Sequence, residues 1–366
     1  MQTAVLIPLH PRGPWRFGPG DGAGQDLDTL YRSDRLFSAL TLAFADLGQL
    51  EPWLEATARA SQPQILLSSL FPFQSDTLFV PPPCSMWPPP AGLITSPSPV
   101  FLSKLRWNLA RFVPVSLIQS LLLGQPALAD QWTVDAESAC LLRRDRPSTA
   151  PFRFAVRRRA AVDRLTRTSA QADRVSCVEF EPSAGLWTAV TFRDESAEQS
   201  WRGLLESAFR LLADTGLGAR RTIGWGQFTT APWQHGRWPD LLFPKLPADK
   251  TARSHWLLSL YSPSPSDQVD WRAGHYRLTC RGGRAHHAGI LKKTARMVVE
   301  GSVLSTAAAP VGRALDVAPD GLPHPLYRSG FALSIPLPET PAPEPAPQNA
   351  NPVEQAPSPE STDYEI

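Results

Sequence analysis

The sequence predicts an α+β protein built around an antiparallel sheet with helices on one face and a long insertion between its halves. Three observations lead there. One β-α-β-β unit can be read in the first eighty residues, and one β-β-α-β unit between residues 175 and 230. The second unit also carries a glycine-spaced turn, Gly216-Leu-Gly-Ala-Arg-Arg-Thr-Ile-Gly-Trp-Gly-Gln-Phe228, between its helix and its last strand.

In chain order, Ala4 to Leu9 is a short apolar run bounded by His10-Pro11-Arg12, the pattern of a buried first strand. The Gly/Pro-rich connection that follows, from Arg12 to Gly24, is too long for a routine link. Ser33 then reads as the cap of a helix whose apolar face is Leu36, Phe37, Leu40, Ala43, Phe44 and Leu47, and which Gly48 stops. With Arg32 and Arg35 alongside, the start of that helix offers free N–H groups to an anion; an ordinary cap with solvated arginines fits the same residues. Ile65–Phe73 and Asp76–Val80 read as paired strands, after which Pro81–Pro83 and Pro88–Pro90 impose an irregular excursion. Residues 100–129 carry two helices, the second from Pro114 to Leu123, within an insertion covering about 84–175. Trp87, Trp107 and Trp238 lie in proline-rich stretches and are either docking anchors or core residues.

Between Arg143 and Arg167 nine arginines face only Asp145 and Asp163. The local pattern Phe152-Arg-Phe-Ala-Val-Arg-Arg-Arg159 mixes apolar and basic residues as a projecting hairpin does, and such an element tracks a single-stranded backbone by charge and stacking. Val175–Phe180 and Leu186–Phe192 continue as strands. Ser196-Ala-Glu-Gln199 reads as a capping box for a helix with Trp201, Leu204, Leu205, Ala208, Phe209 and Leu212 at helical spacing, ended by Gly216. Glycines in the turn let backbone N–H groups approach a bulky anion such as phosphate. Arg220 and Arg221 each add a charge-assisted bond of about 1.5–3 kcal/mol where water is excluded. The same glycines also suit a tight turn that serves close packing alone. Thr222–Thr230 reads as a strand, so the glycines follow a helix and precede a strand. That order excludes a dinucleotide fingerprint or a Walker loop. The strand and helix count fits a ferredoxin-like or RNA-recognition-type sheet.

From Trp238 the pattern restarts, with strand-like runs at Trp256–Tyr261 and His275–Cys280. Arg272 to Arg296 holds seven basic residues, Lys292 and Lys293 among them, and no acid. Residues 339–366 carry six acids and no Lys or Arg, and their Pro, Ala, Glu and Gln composition predicts disorder. Over the whole chain the formal charge is +2, but 36 Lys and Arg face only 28 acids outside the tail, which leaves a body of +8 suited to a polyanionic partner. Cys84, Cys140, Cys177 and Cys280 are scattered, without the spacing of a zinc ribbon or a disulfide framework, which predicts a reduced cytoplasmic setting. The N-terminus lacks the features of a secretory leader, and the uncharged stretch from Phe112 to Ala129 is too polar to predict a membrane span.

Several blocks together resemble a known family. Ser33-Asp-Arg-Leu-Phe-Ser-Ala-Leu40, Ser69-Leu-Phe-Pro-Phe73 with Leu78-Phe-Val-Pro-Pro82, Val162-Asp-Arg-Leu-Thr166, Gly216 to Gly226, Glu300-Gly-Ser-Val303 and His324-Pro-Leu-Tyr-Arg328 occur in the order found in the Cas5-like RAMP proteins, the fourth subunit of type III-A CRISPR effector complexes. The resemblance implies two ferredoxin-like domains, over residues 1–232 and 238–338. It implies a non-catalytic subunit that holds the repeat-derived 5′ handle of CRISPR RNA at the foot of the complex. The implied protein partners are the large polymerase/cyclase-like subunit and the adjacent backbone RAMP subunit, with target RNA met only indirectly. It places Gly216, Gly218, Arg220, Arg221, Thr222, Gly224, Trp225 and Gly226 at the handle, and the block around Arg164 and Thr166 on a thumb-like hairpin that kinks the RNA. Joined to the basic stretches, the expected RNA-binding set also includes Ser33, Arg35, Arg157, Arg158, Arg159, Arg167, Lys292 and Lys293. Arg35 stands where the family usually has a small hydroxyl residue, and the acidic tail is an extension.

The competing class is a RAMP-fold, metal-independent endoribonuclease for precursor RNA, with His10 and Tyr31 as its acid–base candidates. A phosphate-dependent metabolic enzyme lacks its loop. The His286-His287 pair has no acid near it in sequence, and no metal or cofactor is expected.

Overall fold

The computed structural model describes residues 2–18, 27–96, 99–145, 150–162, 165–246, 252–285 and 289–338. Arg164, the His286-His287 pair and the acidic tail lie outside the described residues, and of Arg159 only the backbone is described.

The first half follows the chain order β1 (Thr3–Pro11), α1 (Ser33–Asp46), α2 (Leu50–Ala56), β2 (Ile65–Leu67), β3 (Phe71–Gln74) and β4 (Thr77–Val80). Two insertion helices follow, α3 (Val100–Trp107) and α4 (Val115–Leu122), and then a long hairpin of β5 (Phe152–Val162) and β6 (Ser169–Phe180). β7 (Ala184–Phe192), α5 (Glu195–Thr215), β8 (Phe228–Thr230) and β9 (Gln234–Arg237) complete it. In the sheet the order runs β8-β1-β7-β3, with every neighbouring pair antiparallel. As elements of the two units, these are the fourth, first, third and second strands.

Alternation along β1 shows why this sheet is buried on both sides. Val5, Ile7 and Leu9 pack with α1, α2 and α5, while Leu6 packs on the other face with the insertion and the second half of the chain. All nine residues of β7 are buried, as a central strand covered on both faces requires.

The second half contains β10 (Ser254–Leu257), β11 (Val269–His275), β12 (Val303–Thr306) and β13 (Ser334–Leu337), in the order β11-β12-β10-β13. This repeats the second-third-first-fourth arrangement, again wholly antiparallel. Residues 238–338 contain no helix among those described, so the helices of the expected second ferredoxin-like domain are missing there. A ribbon of Leu315–Asp316 with Tyr327–Arg328 lies in the β12–β13 connection instead, and a second, Leu278–Arg281 with Ala295–Val298, lies between β11 and β12.

Three local expectations are corrected. Asp194, not Ser196, caps α5, its carboxylate accepting from the Ala197 N–H at 2.9 Å. Both are good capping types, and the one nearer the preceding strand prevails. Arg32, not Ser33, occupies the cap position of α1, with no side-chain cap bond. The strand expected over 222–230 is confined to Phe228–Thr230, because Arg221–Ile223 forms a 3-10 turn. Of the proposed anchors, Trp107 is buried and stacked on Trp87 at 5.5 Å, and Trp238 donates to the Ser334 carbonyl at 2.8 Å. They belong to the core. All four cysteines are free thiols.

Candidate nucleic-acid interface

The glycine turn is a clamp closed by backbone contacts. The Leu217 N–H donates to the Gly226 carbonyl at 3.0 Å, the Ala219 N–H to Arg16 at 2.9 Å and the Gly226 N–H to Pro14 at 3.0 Å. A Cβ at Gly226 would lie 1.9 Å from the Leu217 oxygen, at Gly216 2.5 Å from the Trp225 oxygen and at Gly218 2.5 Å from the Arg16 oxygen. Three of the four glycines are therefore required by the approach of one backbone to another. Gly224 differs: its nearest neighbour, Gln227 Oε1, is 3.8 Å away, and its φ of +83° alone selects glycine. What the clamp presents to solvent is its tip, with Arg220 in the left-handed region at φ 65°, Arg221 half-buried and Thr222, Ile223 and Gly224 exposed.

The tip meets the hairpin on one side. Trp225 is buried against Val175 and Cys177 of β6, and an open cleft of about 420 Å³ is lined by Pro14, Arg157, Ile223 and Trp225. Arg157 is engaged by Glu179, as is Arg153, so these two share one carboxylate. Arg158 stands directly opposite Arg174 in the antiparallel register, both exposed. Like charges in that position repel, and an anion between them relieves the repulsion. Farther out, Leu165, Thr166 and Arg167 are exposed.

On its other side the tip meets the junction between the two halves. Tyr31 is buried, which pushes its hydroxyl up to about 12 against the opposing influence of the Arg35 and Arg221 charges and a contact with the Gly218 backbone. A phenol in that state keeps its proton throughout the neutral range. Next to it, burial opposes ionisation of Asp34, but Arg281 and Arg328 outweigh it and hold the carboxyl down at about 2. Arg281 donates to Asp34 through two nitrogens at 3.1 and 3.0 Å, and Arg328 makes a further ion pair with it. Burial lowers Arg35, as does the nearby Arg281 charge. Lys292, lowered first by burial and then by Arg328, belongs to the same cluster. Arg35, Arg281, Arg328 and Lys292 thus gather around Asp34, with Asp28 also acting on Arg35, which leaves cations in excess there.

Of the expected residues, Ser33 is spent on the interior: its N–H donates to Ser69 Oγ at 2.8 Å, and its hydroxyl accepts from the Leu260 N–H at 3.0 Å. That N–H is satisfied and not open to an anion. Lys293 is paired with Asp320 at 2.8 Å. Arg35 and Arg221 both act on Tyr31, Lys292 lies near Asp34 and Arg328, and Arg157 and Trp225 line one cleft. Sequence reasoning missed Asp34, Arg281, Arg328 and the Arg32–Glu300 ion pair, although the first, fifth and sixth blocks of the resemblance contain Asp34, Glu300 and Arg328.

Comparisons with known proteins bear on the family and the fold. Residues 250–337 match the family model described as the CRISPR Csm4 C-terminal domain. The curated CRISPR system Cms protein Csm4 of Thermococcus onnurineus (strain NA1) is 25% identical over 357 residues, which cover 93% of this chain and 99% of that protein. A chain of the Csm3-Csm4 subcomplex in the type III-A CRISPR-Cas interference complex superposes with a TM-score of 0.59 at 16% identity, covering 92% of this chain and 99% of that one. A chain of the Csm1-Csm4 cassette in complex with pppApA gives 0.57 at 17% identity, with 92% and 100% covered. At those identities the structural likeness concerns the fold. Fold and matches together define a RAMP-like protein of type III-A CRISPR effector systems. Within that class, residues 250–337 match the Csm4 C-terminal domain, and the chain is similar to a Csm4 protein over most of its length.

Proposed function

We propose that this chain is the non-catalytic subunit of a Csm effector complex that holds the repeat-derived 5′ handle of CRISPR RNA. The carrying observation is that one solvent-facing tip, Arg220 to Gly224, borders the hairpin cleft with Arg157 and, through Arg221, the Tyr31 hydroxyl on which Arg35 also acts. A ribose-phosphate strand laid across the tip meets basic groups on either side. The fourth-first-third-second strand order, with α1 and α5 on one face, supports a ferredoxin-like first half for this platform.

As protein partners we propose the large polymerase/cyclase-like subunit and the neighbouring backbone RAMP subunit, because the similar chains occur in structures described as Csm1-Csm4 and Csm3-Csm4 assemblies. α3 supports a protein partner: Phe101 and Leu105 are 66% and 65% exposed, as is Leu109 beyond its end at 70%.

The endoribonuclease reading is weaker. His10 contacts the Phe73 ring edge-to-face at 5.0 Å, and the Tyr31 hydroxyl is too weakly acidic to serve as a general base near neutrality. Filter binding of handle-bearing RNA to wild type and to Arg220→Ala/Arg221→Ala tests the proposal. A loss of about tenfold or more supports it, and unchanged affinity for the handle refutes it.

A further inference from the structure

Edge strand β11 is exposed at nearly every position, without the alternation of a strand that contributes to a core. It nevertheless carries Trp271, and Tyr276 follows its last residue. Both are 37% exposed, and their rings meet edge-to-face with centroids 5.0 Å apart. That contact uses one face of one ring only. Arg272, His275 and Arg277 flank the pair, all exposed, and no acid occurs between Asp270 and Glu300. The Arg277 guanidinium approaches Gly301, beside Glu300, and its charge acts on Arg111. Basic groups therefore continue from the aromatic pair toward the junction between the halves.

We propose that Trp271 and Tyr276 form a stacking platform for unpaired bases of single-stranded RNA, separate from the glycine tip, with Arg272 and Arg277 carrying the backbone phosphates. The proposal rests on the reading of the chain as an RNA-binding subunit. Exposed aromatic rings beside arginines, on an edge strand whose one acid, Asp270, accepts from the Arg272 and Ala273 backbone N–H groups, have the chemistry of sequence-tolerant single-strand binding. Aromatic stacking supplies contact with any base, and the cations follow the phosphates. An acidic protein surface is the competing occupant, and the test separates the two.

The probe is a fluorescein-labelled oligouridine without handle sequence, titrated against the full chain. Trp271→Ala/Tyr276→Ala is expected to weaken binding about tenfold or more while leaving the salt dependence unchanged, since stacking displaces no counterions. Trp271→Phe/Tyr276→Phe is expected to restore it, and the melting temperatures of both variants to match wild type. Arg220→Ala/Arg221→Ala, assayed on handle-bearing RNA, reports on the handle site alone, so either reading can fail without the other. Unchanged oligouridine affinity in the alanine variant overturns the platform. So does a variant that loses only its co-purifying large subunit.

Discussion

Asp34 accepts two hydrogen bonds from the Arg281 guanidinium, at 3.1 and 3.0 Å, across 247 residues of chain. The first turn of α1 is thereby fixed to the second half of the molecule. Arg328 adds a second cation to the same carboxylate, and the neighbouring Arg32–Glu300 pair and the Ser33–Leu260 hydrogen bond tie the same turn down further. Tyr31, on which both Asp34 and Arg221 of the glycine tip act, lies beside this joint.

Replacing Asp34 by Ala leaves two buried guanidinium groups without their carboxylate, which costs about 3–5 kcal/mol. Denaturant unfolding measures the loss directly. Because the folded carboxyl is depressed to about 2 from 3.8, its contribution is complete above about pH 4 and declines as pH falls toward 2. Asp34→Asn is expected to remove that acid-side slope.

The glycines of the turn separate into two kinds. Gly226→Ala places a Cβ 1.9 Å from the Leu217 oxygen and is expected to open the clamp, lowering the melting temperature. Gly224→Ala meets only Gln227 Oε1, at an ordinary contact distance of 3.8 Å, and bears the left-handed backbone cost of roughly 1–2 kcal/mol. Comparable melting temperatures for the two variants would contradict the clamp.

Arg174→Glu gives Arg158 an opposite charge across the hairpin, so the melting temperature is expected to rise slightly while RNA affinity falls. The salt dependence is expected to become shallower, by about 0.7 in log–log slope for each phosphate that the variant no longer neutralises. Stability and binding moving in the same direction would argue against a phosphate between the two strands.

His255 lies in the core of the second half. Burial lowers its pKa from 6.5, against an opposing influence of the Ala252 backbone, and neither ring nitrogen has a hydrogen-bond partner among the described residues. A depressed histidine contributes full stability above about pH 6.5 and loses it as pH falls below. Thermal melts across mildly acidic pH check this, with His255→Leu expected to flatten the dependence there.

Much of this architecture is legible in the sequence because it repeats locally. The apolar run of β1, the helical spacing in α5 and the arginine bias of the β5–β6 hairpin each follow from neighbours in sequence. The junction leaves no such mark: Asp34 and Arg281 belong to different halves, and an ion pair imposes no period on the chain between them. Helices in the second half are an expectation of the resemblance, and residues 258–268 and 307–333 connect their strands without them. The glycine turn is plain from its spacing, but spacing alone suggests that its glycines approach an anion. Only the folded chain shows that Gly216, Gly218 and Gly226 face backbone oxygens, and that Arg220, Thr222 and Ile223 are what the turn exposes to solvent.

The most direct measurement is ultraviolet crosslinking of the chain to CRISPR RNA in its purified complex, with the crosslinked peptide and nucleotide both identified. Crosslinks joining handle nucleotides to the peptide spanning residues 216–226 are the predicted result. Handle nucleotides crosslinked only to other subunits, with this peptide unmodified, would contradict the account.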